Sequence, residues 1–284
     1  MHRSLPKLCR SVAVAAAAVA GVAATANAQG DNGFLRGEGK TDIAFSYSVD
    51  KSQHFWVGDH KTSDPAIGKL YHYSYNFWAA YGLRDDIDLV ASTAIVRADA
   101  TGSGNIRDHQ ALTDGVFGAK WRVFDQRLGP CGLSFALTPA VKIPLYHYQA
   151  NAVTALGDGQ IDYRIRGVAQ VQFDCGAFVA LETGYDVRTG GTPNEVPINL
   201  SVGGTFMDRL TVTPFLEWMN SQGDKDIGQT PELPDVEEDY YRWGVGAYLR
   251  LTDRFGITGG YKATINGKNT PDSWTTWAGI VFRI

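Results

Sequence analysis

Residues 196–219 read VPINLSVGGTFMDRLTVTPFLEWM. Val196, Ile198, Leu200, Val202 and Phe206 share one parity, and Pro197, Asn199, Ser201, Gly203 and Thr205 share the other. Only Met207, Asp208 and Arg209 intervene before a second alternating run, in which Leu210, Val212, Pro214, Leu216 and Trp218 oppose Thr211, Thr213, Phe215, Glu217 and Met219. Side chains of a strand alternate between two faces, so this stretch reads as a hairpin with one apolar face and one polar face.

The same period of two recurs along the chain, and no 3.6-residue stripe is sustained. It predicts twelve strands, near 41–50, 67–81, 86–97, 112–123, 132–145, 160–173, 177–188, 196–206, 210–219, 240–251, 255–265 and 274–284. Connectors at 82–85, 124–131, 174–176, 207–209 and 252–254 are brief. Those at 51–66, 98–111, 146–159, 189–195, 220–239 and 266–273 are mostly longer and polar. An even number of strands of about ten residues, with short turns at one end and long loops at the other, is the pattern of a bacterial outer-membrane barrel. The fold class expected is therefore all-β: a transmembrane antiparallel up-and-down β-barrel of 12 strands.

The amino terminus supports export. Arg3, Lys7 and Arg10 precede an apolar run of Ala and Val, and Ala26-Asn27-Ala28 forms a cleavage site before Gln29. The domain organisation expected is a signal peptide over 1–28, a periplasmic segment over 29–39 and the barrel over 40–284, placed in the bacterial outer membrane. Without the leader, 23 basic residues face 30 acidic ones, a net charge near −7. A nucleic-acid partner is excluded by that balance, because binding phosphates demands a basic face. Past residue 28 no apolar run approaches the roughly 18 to 20 residues that a spanning helix needs. Two cysteines outside the leader, Cys131 and Cys175, lie at the short-turn ends of neighbouring strands, and a disulfide between them is expected in an oxidising compartment.

Periodicity alone does not separate a membrane barrel from a soluble one, which turns its apolar face inward. The polar parity decides, because it is too charged for a packed core. Aromatic residues on the apolar parity also gather in two belts: Trp218, Tyr241, Trp243 and Trp274 toward the long loops, and Tyr81, Trp121, Phe173, Phe206, Phe255 and Phe282 toward the short turns. Such rings suit the two lipid interfaces. The final strand ends at Ile284, with Phe282 on the same face.

Three segments carry a resemblance: Tyr81-Gly82-Leu83-Arg84-Asp85-Asp86-Ile87-Asp88-Leu89, Asp114-Gly115-Val116-Phe117-Gly118-Ala119-Lys120-Trp121-Arg122 and Leu156-Gly157-Asp158-Gly159-Gln160-Ile161-Asp162-Tyr163. With them the chain resembles the outer-membrane barrels of the MetA phenol-degradation-pathway family. The resemblance implies movement of small, often hydrophobic compounds, and no catalytic residue.

On the polar parity lie Asp114, Lys120, Arg122, Lys142, Asp162, Arg164, Arg166, Glu182, Asp186, Arg188, Glu217, Arg242, Arg250, Lys262 and Arg283, all expected to face the lumen. If Phe173 pairs with Ala177, Arg164 faces Asp186 and Asp162 faces Arg188, with Arg166 diagonal to Glu182; opposite charges across a strand pair attract. Such a network either selects solutes or staples the wall. Inward Gly118, Gly184, Gly203, Gly244, Gly246, Gly256 and Gly260 leave room beside Trp78, Phe178 and Tyr248.

The 220–239 loop holds seven acids, Asp224, Asp226, Glu232, Asp235, Glu237, Glu238 and Asp239, against Lys225, without a calcium-loop spacing. It reads as a solvated loop, or as one that binds cations bridging lipopolysaccharide. No cofactor, metal site or catalytic residue is assigned. His54, His60, His72, His109 and His147 include one, His72, inside a strand beside Ser74 and Asn76. A barrel hydrolase acting on lipid is the alternative, and it requires His72 bonded to Ser74 or another serine. A third reading is a structural barrel plugged by residues 29–39. The partners expected are outer-membrane lipid and lipopolysaccharide, a small-molecule solute and the barrel-assembly machinery.

Overall fold

The computed structural model describes residues 32–284 apart from 105, 228 and 230–232. The leader, with Cys9, residues 29–31 and Glu232 lie outside the described residues. Twelve long strands account for the barrel: β1 Thr41–Val57, β2 Leu70–Arg84, β3 Ile87–Ala100, β4 Asp114–Leu128, β5 Cys131–Pro144, β6 Asp162–Phe173, β7 Ala177–Arg188, β8 Glu195–Phe206, β9 Leu210–Ser221, β10 Asp239–Arg250, β11 Phe255–Lys268 and β12 Pro271–Arg283. Each pairs antiparallel with its neighbours in sequence, and β12 returns to β1 through Asp42 opposite Arg283. Backbone bonds between Thr41 and Ile284, at 2.9 and 2.8 Å, finish the seam. Closure leaves none of the twelve long strands at an open edge of the sheet, which a sheet crossing hydrocarbon requires.

All twelve expected strands are present, and several run further than the sequence pattern suggests. The expected loop at 266–273 is instead a hairpin tip, with strand extending to Lys268 and resuming at Pro271 around Asn269, whose φ is 50°. Asn tolerates that left-handed backbone, so a polar, apparently loop-like stretch can still be a ladder with a tight turn. In the expected 51–66 loop, β1 continues to Val57 and residues His60–Thr62 pair back onto it. Residues His109–Leu112 likewise extend the wall beside β3, next to Ile95–Ala98.

The polarity is inverted relative to a soluble barrel. Leu200 and Ile257 are 39% and 40% exposed on the outer wall, whereas Asp162 and Asp186 are 1% exposed inside. Lipid solvates the first pair, and the second is held away from bulk water. The hairpin at 196–219 shows the rule: in β9, Leu216 and Trp218 face out while Thr213 and Glu217 are buried in the lumen.

Both aromatic belts contain cross-strand pairs. Toward the long loops, Trp218 stacks on Tyr241 at 5.6 Å and Tyr261 on Trp274 at 6.5 Å, and Lys51 lies 5.3 Å from the Trp274 ring. An ammonium among interfacial rings is where a snorkelling lysine belongs. Toward the short turns, Phe255 meets Phe282 at 5.3 Å. Inside, rings approach the wall where glycine removes the Cβ. One at Gly203 would stand 2.4 Å from the Phe178 ring, and one at Gly260 2.2 Å from Trp277.

The cysteines correct the expectation. Cys131 pairs across the sheet with Phe173, while Cys175 sits two residues further on, in the turn. Both are free thiols, and Cys131 donates to the Leu128 carbonyl at 3.2 Å. Proximity of strand ends brought the right strands together but left Cys175 past the last paired position.

Candidate functional site

The lumen is the candidate site, and its densest part lies on the wall made by β4 to β8. The register there is the expected one: Asp162 faces Arg188 and Arg164 faces Asp186. Arg164 reaches Asp186 at 3.3 Å and Asp162 at 3.0 Å. Arg166 adds a two-pronged contact, with one prong at 2.7 Å, to Asp186 and reaches Glu182 at 3.4 Å. Asp186 therefore carries two guanidinium groups, where sequence spacing pointed to one.

Toward the long loops the network extends to residues that strand parity did not mark. Lys142 contacts Asp162 at 2.7 Å, Asp158 at 2.7 Å and Asp114 at 3.6 Å. Arg188 is paired with Asp158 and with Glu195, which opens β8. Asp158 belongs to loop 145–161, which folds inward so that its carboxylate bridges Lys142 and Arg188. Burial pushes the Asp158 carboxyl up, but those two cations outweigh it and hold the group down at about 2.

Other bonds seat the same loop: Tyr148 donates to Asp114 and accepts from the Gly159 N–H at 3.1 Å, and His109 meets fully buried Thr154 at 2.8 Å. Buried charges are tolerated here because each finds a partner of opposite sign. Glycine-rich Leu156-Gly157-Asp158-Gly159 signals a turn, but no periodicity shows that it turns inward.

A second inserted element closes in from the short-turn end. Residues 32–36 run inside the barrel, where the Gly33 N–H donates to Gln170 at 2.8 Å and the Arg36 N–H to Asp88 at 3.0 Å. Lys120 donates to the Phe34 carbonyl at 2.9 Å and also to that of Asn32. The Arg36 side chain pairs with Asp42 at 3.2 Å and lies 5.5 Å from the Trp78 ring centre. Phe34 packs edge-on to Phe178 at 5.3 Å, against buried Val168 and Ala180.

The remaining predicted residues are divided. Glu217 binds Lys262 at 3.3 Å, and Arg242 lies 3.6 Å over the Tyr240 ring on the adjoining wall. Arg250 stands apart at the short-turn rim, donating to the Asp208 carbonyl at 2.6 Å. Arg283 joins the Asp42 cluster at 3.5 Å.

His72 contacts the Ala155 carbonyl at 3.4 Å and Asp50 at 3.9 Å, not Ser74. The acidic loop is tied down by named contacts: Lys225 to Asp235 at 3.4 Å, Lys268 to Glu237 at 2.8 Å, and Thr270 to Glu238 at 2.6 Å. Buried Asn269 binds Asp226 and the Glu237 carbonyl, both at 2.9 Å. Among the described residues no group of three metal-ligating side chains is gathered.

Comparison with known proteins agrees with this architecture. The family model described as MetA-pathway of phenol degradation matches residues 66–280. The crystal structure of the COG4313 outer membrane channel from Pseudomonas putida F1 superposes with a TM-score of 0.74 at 13% identity, covering 91% of this chain and 100% of that one. The translocator domain of the autotransporter NalP from Neisseria meningitidis gives 0.48 at 11% identity, covering 88% and 90%. A KdgM porin in complex with disordered oligogalacturonate gives 0.49 at 7% identity, covering 85% and 98%. No curated protein matches the chain.

Proposed function

Since the chain belongs to the MetA-pathway phenol-degradation family, we propose that it is an outer-membrane channel through which small solutes, including hydrophobic and aromatic ones, pass by diffusion. The observation that carries this reading is the inverted polarity: a closed wall, apolar outside, around a lumen with charges of both signs. A protein selected only to be a rigid cylinder needs no such lining, because burying ion pairs is no more stabilising than packing apolar side chains of equal volume. The short-turn rim, with both barrel termini, faces the periplasm, and the long loops face outward among lipopolysaccharide. Transport uses no covalent chemistry: solutes move past the Arg164–Asp186 and Arg188–Asp162 pairs once the inserted loop 145–161 and residues 32–36 give way.

The test is conductance of the purified protein in planar bilayers. Discrete current steps are expected, and a protein that is folded and inserted yet carries no current under any voltage refutes the channel. A second reading has its own support, because Phe34 and Arg36 are anchored inside the barrel: a plugged structural barrel would give that silent result.

A further inference from the structure

Charged side chains at spanning depth are costly unless paired or hydrated, so a lumen residue that departs from pairing is informative. Lys142, Arg164, Arg166, Arg188 and Lys262 each have a carboxylate within 3.5 Å. Arg242 has none among the described residues. Its cross-strand partner by register is Glu217, but that carboxylate turns to Lys262 on the next strand, at 3.3 Å and 3.5 Å.

The guanidinium carbon instead lies 3.6 Å from the centre of the Tyr240 ring, with its Nε donating to Thr264 Oγ1 at 3.4 Å. The two contacts hold the group on the Tyr240 side and at its Nε. The two Nη groups, which form the end of the fork, have no acceptor among the described residues. Arginine remains protonated throughout the accessible pH range.

We propose that Arg242 is an anion-binding residue of the lumen that takes the carboxylate of a small organic monoanion. This rests on the channel reading for its physiological use, though not for its chemistry. Two Nη groups in one plane match the two oxygens of a carboxylate in a bidentate contact, which a lysine cannot reproduce. Stacking on Tyr240 removes the rotamer freedom that binding would otherwise cost.

Nearby acids set the charge that is accepted. Glu217 is held by Lys262, Asp50 accepts from Thr275 at 2.7 Å, and Glu238 accepts from Thr270 at 2.6 Å. Each is already bonded, so none closes on Arg242, yet together they repel a dianion more than a monoanion.

The experiment uses the full chain refolded in detergent, with folding checked by circular dichroism and heat-shifted gel mobility. Binding of ¹³C-acetate is followed by concentration-dependent line broadening, and inorganic phosphate at pH 8 serves as the dianion. Saturable acetate binding is expected in the unmodified protein, weakened at least tenfold by Arg242→Gln, with phosphate binding more weakly than acetate. Arg242→Lys keeps the charge and serves if the glutamine variant does not fold; it too is expected to lose several-fold, since an ammonium cannot make the forked contact.

No acetate binding, equal binding by Arg242→Lys or Arg242→Gln, or preference for phosphate overturns the proposal. Conductance in potassium chloride is recorded on the same preparation. Current without acetate binding sinks this site and leaves the channel standing, and acetate binding without current does the reverse.

Discussion

Replacing Asp158 by Asn should loosen loop 145–161 from the lumen wall. The carboxylate accepts from Lys142 at 2.7 and 2.8 Å and from Arg188, and it caps the Gln160 N–H at 3.0 Å. Hydrogen bonds to charged groups are worth about 1.5–3 kcal/mol each. Neither cation is orphaned by the change, because Lys142 retains Asp162 at 2.7 Å and Arg188 retains Glu195. The loss should therefore fall below the roughly 3–5 kcal/mol of a broken buried pair. The same two cations hold the Asp158 carboxyl down at about 2, and at about 1.4 kcal/mol per unit that depression is on the order of 2 kcal/mol.

A destabilisation of ~2 kcal/mol multiplies a small open population about thirtyfold. Single-channel recording should show that rise in the time spent in the higher-conductance level. Because the folded carboxyl titrates below its ordinary value, its contribution is complete above about pH 4 and fades as pH falls toward 2. The part of the loop's attachment that Asp158 supplies should then stay constant from pH 5 to 8 and weaken only near pH 3. Unchanged occupancy in the Asp158→Asn variant, together with unchanged protease resistance of the loop, would refute the latch.

Other consequences are equally direct. Phe34→Ala removes a ring packed on Phe178 and should release the inserted terminal segment at a cost of about 1.5–3 kcal/mol, seen as higher conductance and faster cleavage near residue 34; unaltered current would show that the segment does not obstruct the path. Leu216→Lys places a charge on the lipid face near the middle of β9 and should destabilise the barrel by roughly 2–4 kcal/mol in lipid-vesicle unfolding, whereas a near-neutral result would contradict the outward orientation. Cys131 and Cys175 should both react with a maleimide in denaturant without reductant, and protection of the pair would restore the disulfide.

Alternation in the sequence determined twelve strands, their order, which face meets lipid, and even the register of one hairpin. A strand has only two faces, and lipid and water demand opposite chemistry of them, so a one-dimensional pattern fixes orientation. Arg164 opposite Asp186 and Arg188 opposite Asp162 followed from counting residues across a three-residue turn. What alternation could not supply was the fate of segments outside the ladder. That Asp158 folds inward, that Phe34 and Arg36 enter from the other end, that Cys175 overshoots its partner strand and that Glu217 prefers Lys262 to Arg242 depend on the closed barrel. Only closure sets side chains from non-adjacent elements within a few ångströms, and only there do the competing cations and carboxylates settle which pairs form.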